Sequence, residues 1–536
     1  MISGATKNEL LRCLTKDYID NLDKNNIPTP EIIEKELLDK LSSAFMIENT
    51  MREKENKLQI PKALNHTQIA ELMCVAHPIK KINCCEGSKT SDYDLIGIYQ
   101  EEGPNKGIYI TDEEYLRILA RKYNYSLTDK DFKEIMIAMR SLLPRTNRCS
   151  DPNMIAVNNG IFDYNKKELL PFTPDVVFLT KSGVNYNPNA KNINIHNDDD
   201  DTDWDVDSWM DELSDDPDVV NTLWEILSAI IRPHVRWNKA AFLYSEVGNN
   251  GKGTLCTLMR NLCGESACVS MPMSNFSKEF LLEPLLSASA IITDENDVGE
   301  YIDKSANMKA VITNDPISIN RKHKKPITYQ HFGFMVQCLN GYPKIKDKSD
   351  SFYRRQLFIP MNKQFTGIER RYIKGDYLHR KEVLEYVLYK VLNTNFWELS
   401  TPAFCEEALN EYKEFNDPIR TFYNEMEEEL VWDLIPFTFL YDLYKAWYNK
   451  YSPTGSIVSR QVFVKDLIPL VNKSEVFYCN DKSEKIKSAN KMDRPEPLII
   501  EYDLHDWKNP NYRGSDTNKL ARPKLKDSYR GLRRYT

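Results

Sequence analysis

The sequence predicts an α/β protein with a central parallel sheet, a mostly helical N-terminal domain and a further small domain near the C-terminus. Its 536 residues, 41% hydrophobic and 28% charged, are enough for three or four domains with buried cores. Between residues 239 and about 363, short apolar runs alternate with loops and helical segments, as in a parallel α/β domain. We find no internal repeat, which argues against a solenoid.

Charge and cysteine content narrow the class of protein. The net charge of −8 is local in origin, because residues 198–218 hold twelve acidic residues and no lysine or arginine. The rest of the chain is therefore net basic. The eleven cysteines form no Cys-x-x-Cys pair, which indicates reduced thiols in a cytoplasmic protein. Without an apolar signal core or a run of about 20 apolar residues, the sequence predicts neither secretion nor a membrane span.

The first part of the chain has helical periodicity, as in EIIEKELLDKLSSAF, and carries no recognisable chemistry. After it, short apolar runs punctuated by Asn-Gly and proline predict strands and hairpins. The acidic loop 198–218 lacks the glycine and the distal glutamate of an EF-hand loop, so we interpret it as a solvated linker or loop rather than a calcium site. The sequence divides into a helical domain of unknown role at 1–145, strands and hairpins at 146–235, the α/β core at 236–400, a small domain at 401–510 and a basic tail at 511–536.

The α/β core contains a glycine loop between a predicted strand, AAFLY, and a predicted helix, KGTLCTLMRNLC. This context is that of a P-loop, in which backbone N–H groups cradle phosphate and the lysine reaches the β and γ oxygens. Glu246 stands where the first glycine is usual. Gly253 stands where a magnesium-binding hydroxyl is usual, so Thr254 becomes the expected magnesium ligand. The predicted ATP-binding residues are Gly248, Asn249, Asn250, Gly251, Lys252, Gly253 and Thr254.

Three further motifs follow in an order that suits ATP hydrolysis. The strand SASAIIT ends in Asp294, which would help to hold magnesium, and Glu295, which would polarise the attacking water. A third strand ends at Asn340, whose amide could orient that water or sense the γ-phosphate. The pair Arg354 and Arg355 could supply an arginine finger across a subunit boundary. Each motif alone is also compatible with a purely structural role, but their order on successive strands favours an ATPase.

Between the second and third of these strands lies a predicted β-hairpin with a basic tip. PISIN and PITYQ alternate in the manner of strands on either side of it. Such a tip would bind phosphate with strong salt dependence, although a solubilising loop is the alternative. Its insertion beside the Asn340 strand favours a DNA-gripping pore loop. The tip consists of Arg321, Lys322, His323, Lys324 and Lys325.

The C-terminal part predicts a winged-helix-like domain. DLIPFTFLYDLYKAWYNKY is amphipathic, and Ser459 is a plausible N-cap for the next helix. The polar stretch NDKSEKIKSANKMDRPEP lies between EVFYC and LIIEYDL as a wing would lie between two strands. This arrangement would turn Arg460, Gln461 and Lys465 toward a DNA groove. A small domain that only packs on the ATPase remains the alternative, and the basic tail would add non-specific phosphate contacts or lack fixed structure.

GNNGKGT, IITDEND, TNDPISINRKHKKP, QCLNGYP and YRRQLFIP, with the lead-in VNNGIFDYNKKELLPFTPD, resemble the motifs of superfamily 3 helicases. The resemblance is to the branch with a poxvirus D5-type N-terminal region, found in phage and mobile-element replication proteins. It is greatest to the self-loading helicases of staphylococcal cassette chromosomes and pathogenicity islands. It implies an AAA+ fold, a bacterial cytoplasmic location and a hexameric ring with ATP and Mg²⁺ between subunits. It also implies that Lys322 and His323 grip single-stranded DNA in the pore.

The residues and the resemblance together favour an ATP-dependent DNA helicase that acts in replication initiation. The alternative is an AAA+ DNA-remodelling or helicase-loading ATPase that does not unwind DNA. A primase-helicase is a third hypothesis, suggested by Asp92 and Asp94 as a pair of metal-binding carboxylates. No downstream histidine-plus-aspartate set completes such a site, so a separate primase or polymerase is expected as a partner. Duplex origin DNA is a further possible partner of the C-terminal domain.

Overall fold

The computed structural model describes residues 5–88, 94–278, 280–297, 301–322, 326–451 and 457–535. The chain divides into two units, Met1–Glu406 and Glu407–Thr536. No helix in these described stretches is long and apolar enough to cross a membrane.

The first unit begins with helices and a small sheet. Thr6, Asn65 and Thr128 each start a helix with a capping box, in which side chain and backbone N–H groups pair reciprocally. This part is mostly helical, as predicted, but it also holds a four-stranded sheet in the order β3-β2-β1-β4. Its elements are α1 (Lys7–Asp20), α2 (Pro30–Thr50), α3 (His66–Ala76), β1 (Ile79–Asn83), β2 (Leu95–Tyr99), β3 (Tyr109–Ile110), α4 (Glu113–Arg121), α5 (Asp129–Leu142) and β4 (Arg145–Asn147).

Short antiparallel strands and two helices follow, as the turn-rich sequence predicts. A three-stranded meander pairs β5, β6 and β7, and β8 pairs with β9 as a separate hairpin. Almost every side chain of the second helix is buried, so this helix belongs to the core of the unit. The elements are β5 (Met154–Val157), β6 (Gly160–Asp163), β7 (Glu168–Leu170), β8 (Ile195–Asn197), β9 (Thr202–Trp204), α6 (Val206–Asp211) and α7 (Pro217–Ile231).

The acidic segment 198–218 begins as the solvated loop that we expected, since residues 198–201 are exposed, but later carboxylates in it pair with distant side chains. Its first residues form the tip of the β8–β9 hairpin, and Asp205 caps α6 by accepting from two backbone N–H groups. Asp207 accepts hydrogen bonds from Tyr386 Oη at 2.6 Å and Lys390 Nζ at 2.8 Å. The sequence did not reveal these ion pairs, because the partners of Asp207, Glu212 and Asp215 lie about 150 residues or more further along the chain.

The central sheet of the first unit has five parallel strands in the order β11-β12-β16-β10-β18. Strands of such sheets are buried on both faces and read as apolar runs, as FMVQCL does here. Its elements and those after it are β10 (Ala240–Tyr244), α8 (Lys252–Cys263), β11 (Cys268–Val269), β12 (Ala290–Thr293), β13 (Tyr301–Ile302), α9 (Ala306–Ile312), β14 (Pro316–Ile319), β15 (Ile327–Gln330), β16 (Phe334–Leu339), β17 (Lys344–Ile345), α10 (Asp350–Tyr353), β18 (Gln356–Pro360), α11 (Arg371–Gly375), α12 (Lys381–Asn393) and α13 (Ala403–Asn416).

The second unit is built on a small antiparallel sheet in the order β19-β23-β20, covered by helices around an aromatic core. Gly531 allows β23 to approach β19, because a Cβ there would lie 2.1 Å from the Ile435 carbonyl oxygen. The elements are α14 (Pro418–Met426), β19 (Leu434–Pro436), α15 (Phe437–Tyr451), α16 (Arg460–Val471), β20 (Phe477–Tyr478), β21 (Ile486–Lys487), α17 (Leu498–Glu501), α18 (Thr517–Leu520), β22 (Ser528–Tyr529) and β23 (Gly531–Arg534).

Two expectations for this unit differ from the structure. LIIEYDL, expected as the strand that returns from the wing, is the short helix α17, because Leu498 and Ile499 are both buried in succession. The returning strand is β23 instead. Residues 511–536, expected as a separate basic tail, therefore contribute the middle strand of the sheet, in which Leu532 is fully buried.

Candidate active site and nucleic-acid interface

The loop between β10 and α8 has the shape that an anion-binding helix start needs. Gly251 has φ of +84°, and an added Cβ would lie 2.8 Å from the Leu213 side chain, so glycine is required on both counts. Asn249 also adopts positive φ, at 54°. The Lys252 N–H donates to Asn250 Oδ1 at 3.3 Å, and no side chain at the cap residue Gly251 satisfies the other N–H groups of the first turn, which are therefore available to phosphate.

Lys252 is buried at the carboxyl ends of two strands. Its Nζ donates to the backbone oxygens of Ser245 and Leu339, both at 3.1 Å. Burial lowers the pKa of this lysine. The ammonium group is thus held between the ends of β10 and β16, where a phosphate at the helix start would lie within its reach.

One edge of the sheet brings together four predicted site residues: Lys252, Asp294, Glu295 and Asn340. Tyr244 pairs with Leu339, so Asn340 follows β16 at the level of the P-loop. Asp294 and Glu295 follow β12 at the same edge. One oxygen of Asp294 accepts from Arg260 Nη1 at 2.7 Å, whereas the other is buried without a partner among the described residues. Glu295 and Asn340 are exposed. Ligands bind at such carboxyl edges of parallel sheets.

The two expected magnesium ligands, Thr254 and Asp294, do not lie on the same side of α8. An oxygen of Asp294 lies within 4.8 Å of Cys256 Sγ, and Cys256 is one turn beyond Lys252, about 40° from it around the helix. Thr254 is two residues from Lys252, about 200° around the helix, and it lines the cavity described next. Asp294 therefore lies on the Lys252 side of α8, and Thr254 does not.

The cavity that Thr254 lines has a volume of about 420 Å³ and lies between the P-loop and the segment after β18. Arg370 pairs with Glu212 across it, and Asn249 Nδ2 donates to Glu369 at 3.0 Å. Sequence reasoning missed this wall, because its residues lie far beyond the P-loop in the chain. The available signal was the cationic cluster ERRYIKG after the last strand of the sheet.

Lys374 comes close to the start of α8 from that wall. Its Nζ lies 3.5 Å from the position that a Cβ on Gly253 would occupy. Neither Lys374 nor Arg371 makes a side-chain hydrogen bond or an ion pair within the described part of the chain. A cation without a carboxylate partner therefore stands where other P-loops place a hydroxyl.

A pair of thiols lies behind the P-loop. Cys256 Sγ is 3.3 Å from Cys338 Sγ, and both face the carboxylate of Asp294. The contact with Cys338, together with burial, raises the pKa of Cys256. All eleven cysteines are free thiols, which agrees with the expectation from their spacing.

The two arginines differ in their surroundings. Arg355 Nη1 donates to the backbone and to the hydroxyl of Ser351 at 2.8 Å, so its side chain is fixed on its own helix turn. Arg354 is exposed. Both precede β18 and so lie at the amino edge of the sheet, opposite to the P-loop. A strand of this length separates the edges by about 16 Å, so neither arginine can reach the phosphate site of its own chain.

The predicted hairpin is confirmed, since β14 and β15 pair antiparallel with Ser318 opposite Thr328. Arg321 is half-buried and Lys322 is exposed. His323, Lys324 and Lys325 lie outside the described residues. The base of the hairpin is held from the N-terminal part of the chain, where the Cys84 carbonyl accepts from the Gln330 N–H at 3.0 Å. Arg148 donates to the Gln330 carbonyl and to Tyr329 Oη, and stacks on the Tyr329 ring.

In the second unit, Ser459 caps α16 as predicted, by accepting from the Val462 N–H at 3.5 Å. Arg460, Gln461 and Lys465 line one groove together with four further cations. Two of these belong to the predicted basic tail, and the other two were not predicted, because the pairing of β21 with β22 that brings them to the groove is not visible locally. These additional cations are Lys482, Lys485, Lys526 and Arg530.

Only one of the two carboxylates behind the primase hypothesis lies in the described part of the chain. Asp92 lies outside the described residues. Asp94 is buried and paired with Arg145, which donates to both of its oxygens at 2.6 and 2.8 Å. This geometry is that of a structural ion pair.

Three family models match separate parts of the chain. The model "D5 N terminal like" matches residues 77–213, a family of unknown function (DUF5906) matches 243–355, and "Poxvirus D5 protein-like" matches 414–509. No curated protein matches.

Among solved structures, the A form apo structure of the NrS-1 C terminal region is 14% identical. It covers 87% of this chain and 98% of its own, with a TM-score of 0.41. Another apo structure of the NrS-1 C terminal region is 12% identical, over 77% and 90% of the two chains, with a TM-score of 0.39. The D5-type part of the resemblance is thus confirmed, because two separate stretches of the chain match D5-type domain models.

Proposed function

We propose that this protein is an ATP-driven DNA helicase with an AAA+ core, which works as a hexameric ring in the replication of a phage or mobile genetic element. The observation that carries the proposal is the shared sheet edge. Lys252, Asp294 and Asn340 follow three strands of one parallel sheet and meet where ligands of such sheets bind.

ATP would bind with its phosphates at the start of α8. The backbone N–H groups of the loop and the Lys252 ammonium would hold the phosphate oxygens, and Asn340 would contact the γ-phosphate or the attacking water. Glu295 is exposed at the same edge and would polarise that water.

Magnesium fits this edge without a hydroxyl from the helix. Mg²⁺ is commonly held by one or two carboxylates together with substrate phosphates and water. Asp294 offers such a carboxylate, with one oxygen that no described residue satisfies. The ion would neutralise charge on the β and γ oxygens. Thr254 lines the cavity of about 420 Å³ beside the P-loop and would contact the nucleotide there rather than the metal.

The arginine finger would come from a neighbouring subunit. Arg354 is the better candidate of the two arginines, because it is exposed while Arg355 is engaged by Ser351. Its position at the amino edge of the sheet suits a role in trans. The ATP site would then be complete only between two chains, which is the physical basis for proposing a ring.

The hairpin would convert ATP hydrolysis into movement along DNA. Only three residues separate β15 from β16, the strand that ends at Asn340, so a shift of this strand would displace the hairpin as well. Lys322, with His323 and its neighbours at the tip, would hold the phosphates of a single strand in the pore.

The second unit would be a winged-helix domain. Its elements run α14, β19, α15, α16, β20 and finally β23, which lies between the other two strands of the sheet. Arg460, Gln461 and Lys465 would contact DNA from the start of α16. A DNA-remodelling or helicase-loading ATPase is the second candidate, and the basic hairpin in the ATPase core is the feature that favours a helicase over it.

Strand displacement on a forked duplex with ATP tests the proposal. We expect the wild-type protein to unwind the fork, Lys252→Ala to lose ATP hydrolysis, and Lys322→Ala/His323→Ala to hydrolyse ATP without unwinding. Lys381→Ala, an exposed lysine outside both sites, is the control and should behave as wild type. ATP hydrolysis without strand separation on any fork would instead support the remodelling or loading function.

A further inference from the structure

The second unit carries a groove of about 710 Å³ whose rim holds six cations and no carboxylate. All six side chains are exposed. Within the described part of the chain, none of them forms an ion pair or a side-chain hydrogen bond. Unpaired like charges repel one another, so their convergence around one groove indicates an anionic ligand. We call this feature the basic groove; its cations are Arg460, Lys465, Lys482, Lys485, Lys526 and Arg530.

One wall of the basic groove is a single face of α16. Arg460 and Val464 are four residues apart, as are Gln461 and Lys465, so the four side chains share this face. The face lies in the first turns of a twelve-residue helix, where the helix dipole adds positive potential.

The opposite wall consists of Lys482, Ser483, Lys485, Lys526, Ser528, Tyr529 and Arg530. It is fixed in place from both sides. Antiparallel pairing joins Lys487 to Ser528, and the Phe437 N–H donates to the Arg530 carbonyl at 2.9 Å. Backbone pairing therefore fixes the main chain from which the cations of this wall extend.

Of the three acidic residues next to this wall, Asp527 is exposed and the other two already have partners. Asp481 accepts from Ser483 Oγ at 2.7 and 2.8 Å, and these contacts hold the pKa of its carboxyl below the usual range. Glu484 pairs with Arg533 outside the groove. Neither carboxylate neutralises the six cations by a direct ion pair.

We propose that the basic groove holds the sugar–phosphate backbone of duplex DNA, between α16 and residues 526–530, without reading base sequence. The inference rests on DNA being the substrate proposed above. A helix that reads bases enters the major groove with its polar face uncovered. Here the polar face of α16 lies opposite a second cationic wall. Cations on the two walls would contact the phosphates of one DNA backbone from both sides.

The aromatic side chains of the groove favour duplex over single-stranded DNA. Single-strand sites stack bases on exposed aromatic rings. Phe437 is buried, and the Tyr529 hydroxyl accepts the Lys526 N–H at 2.9 Å while its ring packs against Trp507. Neither ring is presented to a base.

Equilibrium binding of the full-length chain to a labelled blunt duplex, without ATP, tests this inference. The groove variant is Lys482→Ala/Lys485→Ala/Lys526→Ala, and the control is Lys487→Ala/Lys491→Ala, two exposed lysines of the same region outside the groove. We expect the groove variant to bind at least about tenfold more weakly on several unrelated sequences. Between about 50 and 200 mM salt, its log–log slope should be flatter by about three, one for each lost phosphate contact.

Each other outcome overturns the proposal in a recognisable way. If the groove variant binds as the control does, the groove holds no DNA, whether or not the protein unwinds forks. A loss confined to certain sequences would assign base reading to α16. Equal competition by single strands at matched phosphate concentration would assign a single-stranded ligand. ATPase activity and the melting temperature, measured for all variants, should stay at wild-type values and exclude misfolding as the cause.

Discussion

Lys374 approaches the start of α8 at the residue that departs from the usual P-loop sequence. Gly253 offers no hydroxyl, and the ammonium group lies where a side chain there would extend. A fixed cation at this point would neutralise part of the phosphate charge that a hydroxyl-bound Mg²⁺ neutralises elsewhere.

Replacing Lys374 by alanine should therefore weaken ATP binding by about 10- to 100-fold, the usual range for one lost charge-assisted hydrogen bond. The measurement is nucleotide affinity by fluorescence titration, with Lys381→Ala as the matched control. Adding Gly253→Ser to this variant should recover part of the lost affinity in the presence of Mg²⁺. The serine has room, because its Cβ would lie 3.5 Å from the position that Lys374 Nζ occupies in the wild type. Unchanged affinity in Lys374→Ala would show that the lysine does not bind the nucleotide.

At the scale of elements, the connection from the hairpin to β16 contains a buried histidine, His331, with neither ring nitrogen hydrogen-bonded among the described residues. His234 is half-buried nearby, between the rings of Phe178 and Phe332. Burial, helped by the positive charge of Arg148, lowers the pKa of His331 to about 3 and that of His234 to about 4. Both rings are therefore neutral in the folded chain at pH 7.

Acid should destabilise the first unit through these two histidines. Below about pH 6.5 the unfolded chain takes up protons that the folded chain refuses, so stability falls as the pH drops toward about 4. At pH 5 the loss should be about 2 kcal/mol for each histidine. Urea unfolding at pH 7 and pH 5 measures it, and His234→Phe should remove about half of the difference. A variant with the full wild-type pH dependence would contradict the assignment.

Two elements could be predicted because residues close together in the sequence encode them. The glycine spacing of the P-loop and the alternating residues of the hairpin each fall within about 20 positions of the chain. The pairs made by the acidic segment were not predicted, because Asp207 contacts Lys390 only in the folded chain. Lys374 was missed for the same reason, since it reaches the P-loop through a contact between distant parts of the sequence.

For the whole molecule, the opposite placement of Lys252 and Arg354 on the sheet predicts complementation between damaged chains. Lys252→Ala and Arg354→Ala should each abolish ATP hydrolysis alone. Mixed in equal amounts before assembly, they should recover about a quarter of the wild-type rate, because one interface in four combines an intact lysine with an intact arginine. Arg355→Ala should not complement in this way, as Arg355 serves its own helix turn. No recovery in the mixture would place the finger elsewhere.

The pairing of the acidic segment has a consequence for the ligands that the cavity beside the P-loop would accept. Of the three cations that line this cavity, Arg370 is paired with Glu212 of the acidic segment, whereas Arg371 and Lys374 form no ion pair within the described part of the chain. A long nucleic acid needs many unbalanced cations in a row, whereas a triphosphate needs only a few at one point. By neutralising Arg370, the acidic segment would leave two cations at one point, an arrangement that suits ATP better than DNA.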